Sequence, residues 1–349
     1  MTDVTIMVPG ILGSVLVQPD GSDLWSDNFL GNYWRLIRNP GQFAFHGERA
    51  GAPRILDAIR LPTGLRLRSL FNRVRDEAAA DASRRNGLVV DYPYDWRADL
   101  IESAELLAAE LRNRFGTNLM GSNLNIRAVT HSMGGLLVRI AVGAGFLPPA
   151  SIQRVIHIGS PLGGSAAAVR SLFDSFRLPL IEPFFYVAWG RGMPLAKQNV
   201  RDVMATFPSI YQLIPPQRDR FLMVATGVMV NPLDSGEYVI PADKKGLADR
   251  AHEAIRRSHE LIPKAKVRIV RGFGLNTDAE YKVYRDGSRY ELLPPLPLRE
   301  SSGDGTVTAA SAADGGDYAV ANVQAVQHAF MCNDSRVAVN VRNMFDAAP

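Results

Sequence analysis

The sequence predicts an α/β fold, in which a mostly parallel sheet carries helices on both faces. Short apolar or alternating runs typical of strands recur along the chain, and segments with helical spacing of apolar residues lie between them. This alternation is typical of a parallel sheet whose crossovers are helices. Strands are predicted at residues 4–8, 88–92, 124–129, 152–158, 266–271, 281–284 and 317–326. Helices are predicted at 65–85, 98–115, 247–261 and 335–345.

Composition predicts a globular chain with an ample core. Of 349 residues, 46% are hydrophobic and 21% charged, and the net charge is +4. Arginines cluster in residues 66–85, but acidic residues are interleaved and no aromatic-rich motif accompanies them, so we do not expect nucleic-acid binding. The single Cys332 excludes an intramolecular disulfide. Together with an N-terminus unlike a secretory signal, it predicts a cytoplasmic protein, with peripheral membrane contact as an option.

One turn carries the strongest functional signal. Ser132 lies in Thr130-His131-Ser132-Met133-Gly134-Gly135, between a predicted strand and a helix-like run. A serine at such a turn is the nucleophile elbow of α/β-hydrolases, usually written Gly-x-Ser-x-Gly. Here Thr130 replaces the first glycine. The alternative is a serine that merely caps an ordinary helix.

A serine nucleophile needs a base, and in this fold the histidine comes last in the chain. His328 follows the last predicted strand and is therefore the expected base. His157 lies within a strand and is expected to be structural. His252 and His259 share a helix but do not form a His-Glu-x-x-His motif, so no metal site is predicted there.

The acid is expected between the serine and the histidine. Asp304, flanked by Gly303 and Gly305, is the first candidate, although an Asp-Gly pair is also a common turn. Asp314 and Asp317 are more typical of the entry to the last strand. The oxyanion hole is expected to use backbone N–H groups.

The two predicted oxyanion donors lie after the serine and after the first strand. Met133 supplies the first N–H group. Ile11 supplies the second, with Leu12 as the near alternative.

Two irregular stretches interrupt this pattern within what we predict to be one domain, residues 1–349. Residues 20–62 form an aromatic-rich excursion, and residues 171–260 form a cap or lid that begins with an apolar, proline-broken stretch. Aromatic side chains on such segments pack beneath them or face a lipid interface. The residues expected to contact lipid are Trp25, Trp34, Phe184, Phe185 and Trp189.

The chain resembles the lecithin:cholesterol acyltransferase family, which includes lysosomal phospholipase A. The resemblance is carried by ordered blocks at residues 8–14, 93–97, 131–134, 158–165, 207–215, 303–307 and 327–328, of which Tyr94-Asp95-Trp96-Arg97 is the most specific. It implies that a lipid ester acylates Ser132, that Asp304 and His328 complete the triad, and that the excursion contacts membrane. Secreted relatives clamp this excursion with a disulfide that Cys332 alone cannot form, so cholesterol as acceptor is not expected.

We therefore predict a serine-dependent lipid acyl hydrolase or O-acyltransferase that acts through an acyl-enzyme on phospholipid or other lipid esters. No cofactor and no metal are expected. Two alternatives remain at this point: a general carboxylesterase for smaller esters, and a non-catalytic module with a hydrolase fold.

Overall fold

A computed structural model describes residues 2–60, 66–116, 124–173, 197–216, 221–223, 228–229, 233, 240, 242–286, 289–292, 299–314 and 316–347. The strands are β1 (Thr2–Val8), β2 (Leu16–Val17), β3 (Asp23–Trp25), β4 (Ala58–Arg60), β5 (Arg66–Ser69), β6 (Leu88–Asp91), β7 (Leu124–His131), β8 (Ile152–Ile158), β9 (Phe221–Met223), β10 (Val228–Met229), β11 (Val267–Phe273), β12 (Leu275–Asp286), β13 (Arg289–Leu292), β14 (Arg299–Gly303) and β15 (Ala319–Gln324).

The helices surround these strands. They are α1 (Phe29–Arg38), α2 (Asn72–Arg84), α3 (Leu100–Phe115), α4 (Gly134–Gly143), α5 (Ala166–Phe173), α6 (Lys197–Met204), α7 (Pro208–Gln212), α8 (Ala242–Leu261), α9 (Ala309–Ala313) and α10 (Ser335–Asp346). Short 3-10 turns span Pro40–Phe43, Pro149–Ser151, Lys264–Lys266 and His328–Asn333.

The core of the molecule is a parallel sheet of six strands in the order β15-β11-β8-β7-β1-β6. Its central strands are almost completely buried, because helices cover both faces and the strands are rich in β-branched residues. Val8 of β1 pairs with Thr130 of β7, and Thr130 pairs with His157 of β8. The carboxyl ends of these strands therefore meet at one edge of the sheet.

Helix α4 follows the predicted elbow and packs tightly against α8. A side chain at Gly143 would lie 1.7 Å from the backbone oxygen of Ala254, so glycine is needed where the two helices cross. Helix α3 is capped at its start by Asp99, whose side chain accepts the N–H of Ile101, and at its end by Gly116, which has a φ of 98°. These local signals explain why the predicted helix at 98–115 matches α3 closely.

A second sheet lies outside the central one. Strands β10, β9, β12 and β13 are neighbours in it, and β14 pairs with β12. The expectation that residues 281–284 continue the central sheet is wrong, because they belong to β12, which pairs antiparallel with β13 and β14. Alternation identifies a strand but does not identify its partner, which is set by contacts far away in sequence.

Two further expectations differ from the structure. The helix predicted at residues 65–85 begins only at Asn72, because Arg66–Ser69 forms a strand that pairs with Ala58–Arg60. Residues 20–60 of the excursion are more ordered than their pattern indicates, and they include α1, which Asn28 caps by accepting the N–H of Gly31. Within the described residues, no helix is long and apolar enough to cross a membrane.

Candidate active site

Ser132 sits at a strained turn between β7 and α4. Its φ of 52° lies in the left-handed region, which is uncommon for a residue with a side chain and is typical of a nucleophile elbow. The turn packs against the end of β1: a Cβ at Gly134 would lie 2.4 Å from the oxygen of Val8, and a Cβ at Gly10 would lie 2.6 Å from the Ser132 Cβ. Both glycines are therefore required for the turn to close.

Thr130 occupies the place of the first glycine in the usual motif. Its hydroxyl contacts His157 Nδ1 at 2.9 Å and the oxygen of Ile156 at 3.3 Å, and the residue is completely buried. Because the neighbouring strand offers polar partners at this position, a side chain fits where the motif usually has none. The departure from the motif leaves the elbow intact.

The structure brings the three sequence-predicted residues together. His328 Nε2 lies 2.8 Å from Ser132 Oγ, and His328 Nδ1 lies 2.7 Å from Asp304 Oδ2. A carboxylate accepts hydrogen bonds, so Nδ1 carries the proton and Nε2 presents its lone pair to the serine hydroxyl. This is the tautomer that a serine–histidine–acid mechanism requires.

Asp304 is fixed by its own turn after β14. Its Oδ1 accepts the backbone N–H groups of Thr306 at 3.0 Å and Val307 at 2.7 Å, which leaves Oδ2 for the histidine. The carboxylate reaches this place because β11 carries Gly272 there: a Cβ at that position would lie 2.6 Å from the Asp304 Cβ. Asp304 therefore follows a strand of the second sheet, whereas its hydrogen-bond partner His328 follows the last strand of the central sheet.

His131 is a residue whose part in the site the sequence reasoning missed. Its Nε2–H donates to the backbone oxygen of His328 at 3.0 Å, and the two rings lie 4.9 Å apart between centroids. Phe71 packs edge-on against its other side. Burial, together with the nearby His328, lowers the pKa of His131 to about 3, so the ring stays neutral. Its place beside the serine was the only available signal.

The backbone around the serine offers N–H groups for an oxyanion. Those of Ile11 and Met133, and that of the alternative Leu12, donate no hydrogen bond within the described part of the chain. Leu12 has a φ of 61°, and the loop is closed by a bond from Gly13 N–H to the oxygen of Gly10 at 3.0 Å. Such unused donors beside a nucleophile are suited to a developing negative charge.

The block Tyr94-Asp95-Trp96-Arg97, the most specific of the family resemblance, hydrogen-bonds to the loop that follows β1. Tyr94 donates its hydroxyl to the oxygen of Pro9 at 3.0 Å, and Trp96 donates its Nε1–H to the oxygen of Ser14 at 3.3 Å. Asp95 and Arg97 form a buried ion pair at 2.7 Å. These contacts hold the first loop in place, which is a structural contribution to the site.

A cavity of about 350 Å³ opens at Ser132 and His328. Its lining includes the apolar residues Leu56, Ile59 and Leu70 as well as polar groups. Trp25 lines the cavity but is only 6% exposed, and its Nε1–H donates to the oxygen of Leu12 at 3.1 Å. Trp25 also packs edge-on against Trp96, and its contact with lipid stays a prediction.

The other expected lipid contacts divide into two groups. Trp34 on α1 is 51% exposed, and the guanidinium of Arg38 lies 5.1 Å from its ring centre. Phe184, Phe185 and Trp189 lie outside the described residues.

The remaining sequence candidates form no hydrogen bond or ion pair with Ser132 among the described residues. His157 is completely buried, and burial together with Arg139 holds its pKa well below the ordinary value. His259 lies 3.5 Å from Asp314, and Asp317 is exposed. No group of three metal-ligating side chains occurs among the residues that the structure describes.

Comparison with known proteins bears on this site. Residues 66–231 match the family model described as lecithin:cholesterol acyltransferase. The resemblance to that family is confirmed. This family match supports the interpretation that the chain is a lipid ester hydrolase or acyltransferase. A search of curated proteins finds no significant match to the chain.

Solved structures show the fold. The chain aligns with the crystal structure of a Tle4–Tli4 complex over 100% of its length and 99% of that chain, with 13% identity and a TM-score of 0.61. The mature lipase BlEst2 of Bacillus licheniformis aligns over 98% of this chain and 91% of its own, with 13% identity and a TM-score of 0.41. The first of these alignments, at 13% identity, shows a likeness of fold. The fold is that of the α/β-hydrolases.

Proposed function

We propose that this protein is a serine-dependent lipid acyl hydrolase or O-acyltransferase. The observation that carries the proposal is the continuous hydrogen-bonded series from Ser132 Oγ through His328 to Asp304, in which Ser132 and His328 line a cavity. A non-catalytic module would have no need for a strained elbow aligned with a base and an acid. The family match supports a lipid ester as substrate.

The chemistry follows from the arrangement. His328 Nε2 takes the hydroxyl proton as Ser132 Oγ attacks the ester carbonyl, and Asp304 stabilises the imidazolium that forms. The N–H groups of Met133 and Ile11 hold the oxyanion. As it collapses, the carbon–oxygen bond to the alcohol breaks and His328 returns the proton to the leaving alkoxide. Water or a second alcohol then releases the acyl group by the same steps in reverse.

Peripheral membrane contact is part of the proposal. Helix α1 exposes Trp34 and Arg38 together, a combination suited to the boundary between lipid and water. The net charge of +4 favours approach to anionic lipid. A lipid substrate then reaches the cavity from the surface to which the enzyme binds.

The test combines a covalent probe with lipid products. We expect a fluorophosphonate to label the wild-type protein at Ser132, and Ser132→Ala to abolish both labelling and turnover of mixed phospholipids, triacylglycerol and sterol. Free fatty acid as the sole product identifies a hydrolase, while new sterol or glycerol esters identify a transferase. Ser160→Ala is the matched control, because Ser160 is completely buried beside Gly135 and does not line the cavity.

Two results would overturn the proposal. Labelling that persists in Ser132→Ala would place the nucleophile elsewhere, and a folded wild-type protein that does not react would indicate a binding module. The cavity volume of about 350 Å³ lies near the lower limit for ligand pockets and favours a carboxylesterase for smaller esters as the second candidate. A series of p-nitrophenyl esters from acetate to palmitate separates the two by the chain length of highest kcat/KM.

A further inference from the structure

One end of the cavity carries an ion pair that the proposed chemistry does not use. Arg170 of α5 and Asp278 of β12 both line the cavity, and Arg170 Nη1 donates to Asp278 Oδ2 at 3.1 Å. Asn276, two residues earlier on the same strand, lines the cavity as well.

The hydrogen bonds of Asp278 fall on a single oxygen. Oδ2 accepts both the Arg170 guanidinium and the hydroxyl of Tyr281, which lies 2.5 Å away and belongs to a completely buried residue. No described residue donates to Oδ1. A carboxylate oxygen accepts two hydrogen bonds, so Asp278 retains acceptor capacity while its position is fixed from behind.

The exposed fractions of the two side chains indicate which member of the ion pair a ligand contacts. The Asp278 side chain is 21% exposed and that of Arg170 only 9%. Arg170 pairs with Asp278 and is the less exposed member of the pair. A ligand in the cavity therefore encounters a partly exposed, negatively charged acceptor at this end.

We propose that Asp278 binds a hydrogen-bond donor, above all a primary ammonium group, in the alcohol part of the lipid ester. This inference rests on the proposed function, since it assigns a specificity to the same cavity. A phosphoethanolamine headgroup offers both the charge and the N–H donors. A quaternary ammonium offers the charge alone, and a phosphate monoester is repelled.

The experiment compares three phospholipids with identical acyl chains in mixed micelles of a neutral detergent. For the wild-type protein we expect kcat/KM to fall from phosphatidylethanolamine through phosphatidylcholine to phosphatidic acid, with about a tenfold ratio between the first and the last. Asp278→Asn keeps the shape and one acceptor oxygen but removes the charge. We expect it to lower that ratio by about fivefold or more.

Tyr281→Phe is the matched variant, because it removes a donor to Asp278 and leaves the carboxylate. We expect it to keep the ratio within about twofold of wild type, and the fluorophosphonate labelling rate reports separately on Ser132. A wild-type enzyme that labels and hydrolyses all three lipids equally would overturn this inference and leave the proposed function standing. Loss of wild-type labelling would overturn the proposed function itself. Because the wild-type ratio needs no variant, the test holds even if Asp278→Asn fails to fold.

Discussion

Two hydroxyl–imidazole pairs lie close together at the carboxyl edge of the central sheet. Ser132 Oγ is 2.8 Å from His328 Nε2, and Thr130 Oγ1 is 2.9 Å from His157 Nδ1. The first pair lines the cavity, while both members of the second are completely buried. The same two chemical groups thus meet twice, once at Thr130 near the end of β7 and once at Ser132 in the turn that follows.

In each pair, the residue bonded to the other ring nitrogen of the histidine determines which nitrogen carries the proton. Asp304 accepts from His328 Nδ1, so Nε2 is left to accept the serine proton. Arg139 Nε–H instead donates to His157 Nε2 at 3.1 Å, so Nδ1 carries the proton and donates to Thr130. The hydroxyl of Thr130 then donates to the oxygen of Ile156. A carboxylate partner thus leaves the other ring nitrogen with a lone pair that can accept a proton. A guanidinium partner instead leaves the other ring nitrogen with an N–H group that donates a hydrogen bond.

The largest expected effect comes from the carboxylate. Asp304→Asn retains an oxygen for the N–H groups of Thr306 and Val307 but no longer fixes the tautomer of His328. We expect kcat to fall by about 10⁴-fold, as tautomer reversal does in serine proteases, with little change in melting temperature. Steady-state assays with a short p-nitrophenyl ester and a thermal melt measure both quantities.

Thr130→Val is the counterpart in the buried pair. It removes the hydroxyl that His157 contacts and keeps the shape of the side chain, so we expect a loss of about 1 kcal/mol in unfolding free energy and kcat within about threefold of wild type. A variant of Thr130 that lost activity as severely as Asp304→Asn would show that the two pairs act as one system.

A smaller effect is expected at His131. His131→Phe keeps a ring between Phe71 and His328 but loses the N–H that holds the His328 backbone. We expect kcat and the fluorophosphonate labelling rate to fall together by about tenfold, because the base is less well positioned. His131→Gln retains an N–H donor, and partial rescue by this variant would distinguish positioning from simple packing. Equal rates in wild type and His131→Phe would remove His131 from the site.

The sequence was most informative where local pattern and chain order suffice. Ser132, Asp304 and His328 were selected by a turn motif and by the order of residues in the fold, and the structure brings them within hydrogen-bond distance. Residues 152–158 were predicted as a strand with the bounds of β8, since a buried central strand has a continuous apolar pattern.

What could not be predicted depends on contacts between distant segments. Residues 65–85 have a helical spacing of apolar residues, yet their first part forms strand β5 because it hydrogen-bonds to β4. The pair of Arg170 and Asp278 joins residues 108 positions apart, and neither lies in a recognisable motif. The partner of His157 could not be predicted either, since nothing in the sequence indicates that Arg139, on the helix before β8, points inward.

The buried histidines predict how stability depends on pH. Burial lowers the pKa of His131 to about 3 and, together with Arg139, that of His157 well below its ordinary value. Below about pH 6.5 the unfolded chain therefore binds protons that the folded chain does not, so stability is complete above that pH and is lost as the pH falls. His131 contributes about 1.4 kcal/mol per pH unit, or about 2 kcal/mol between pH 6.5 and pH 5.

Urea unfolding at pH 7 and pH 5 measures this loss. We expect His131→Phe to reduce the difference in unfolding free energy between the two conditions by about 2 kcal/mol, because the unfolded variant binds one proton fewer. His46→Gln is the control: His46 is exposed, so its removal should leave the difference unchanged. If His131→Phe retained the full difference in unfolding free energy, the acid sensitivity would have to arise from groups other than His131. The neutral ring of His131 would then carry no energetic cost at low pH.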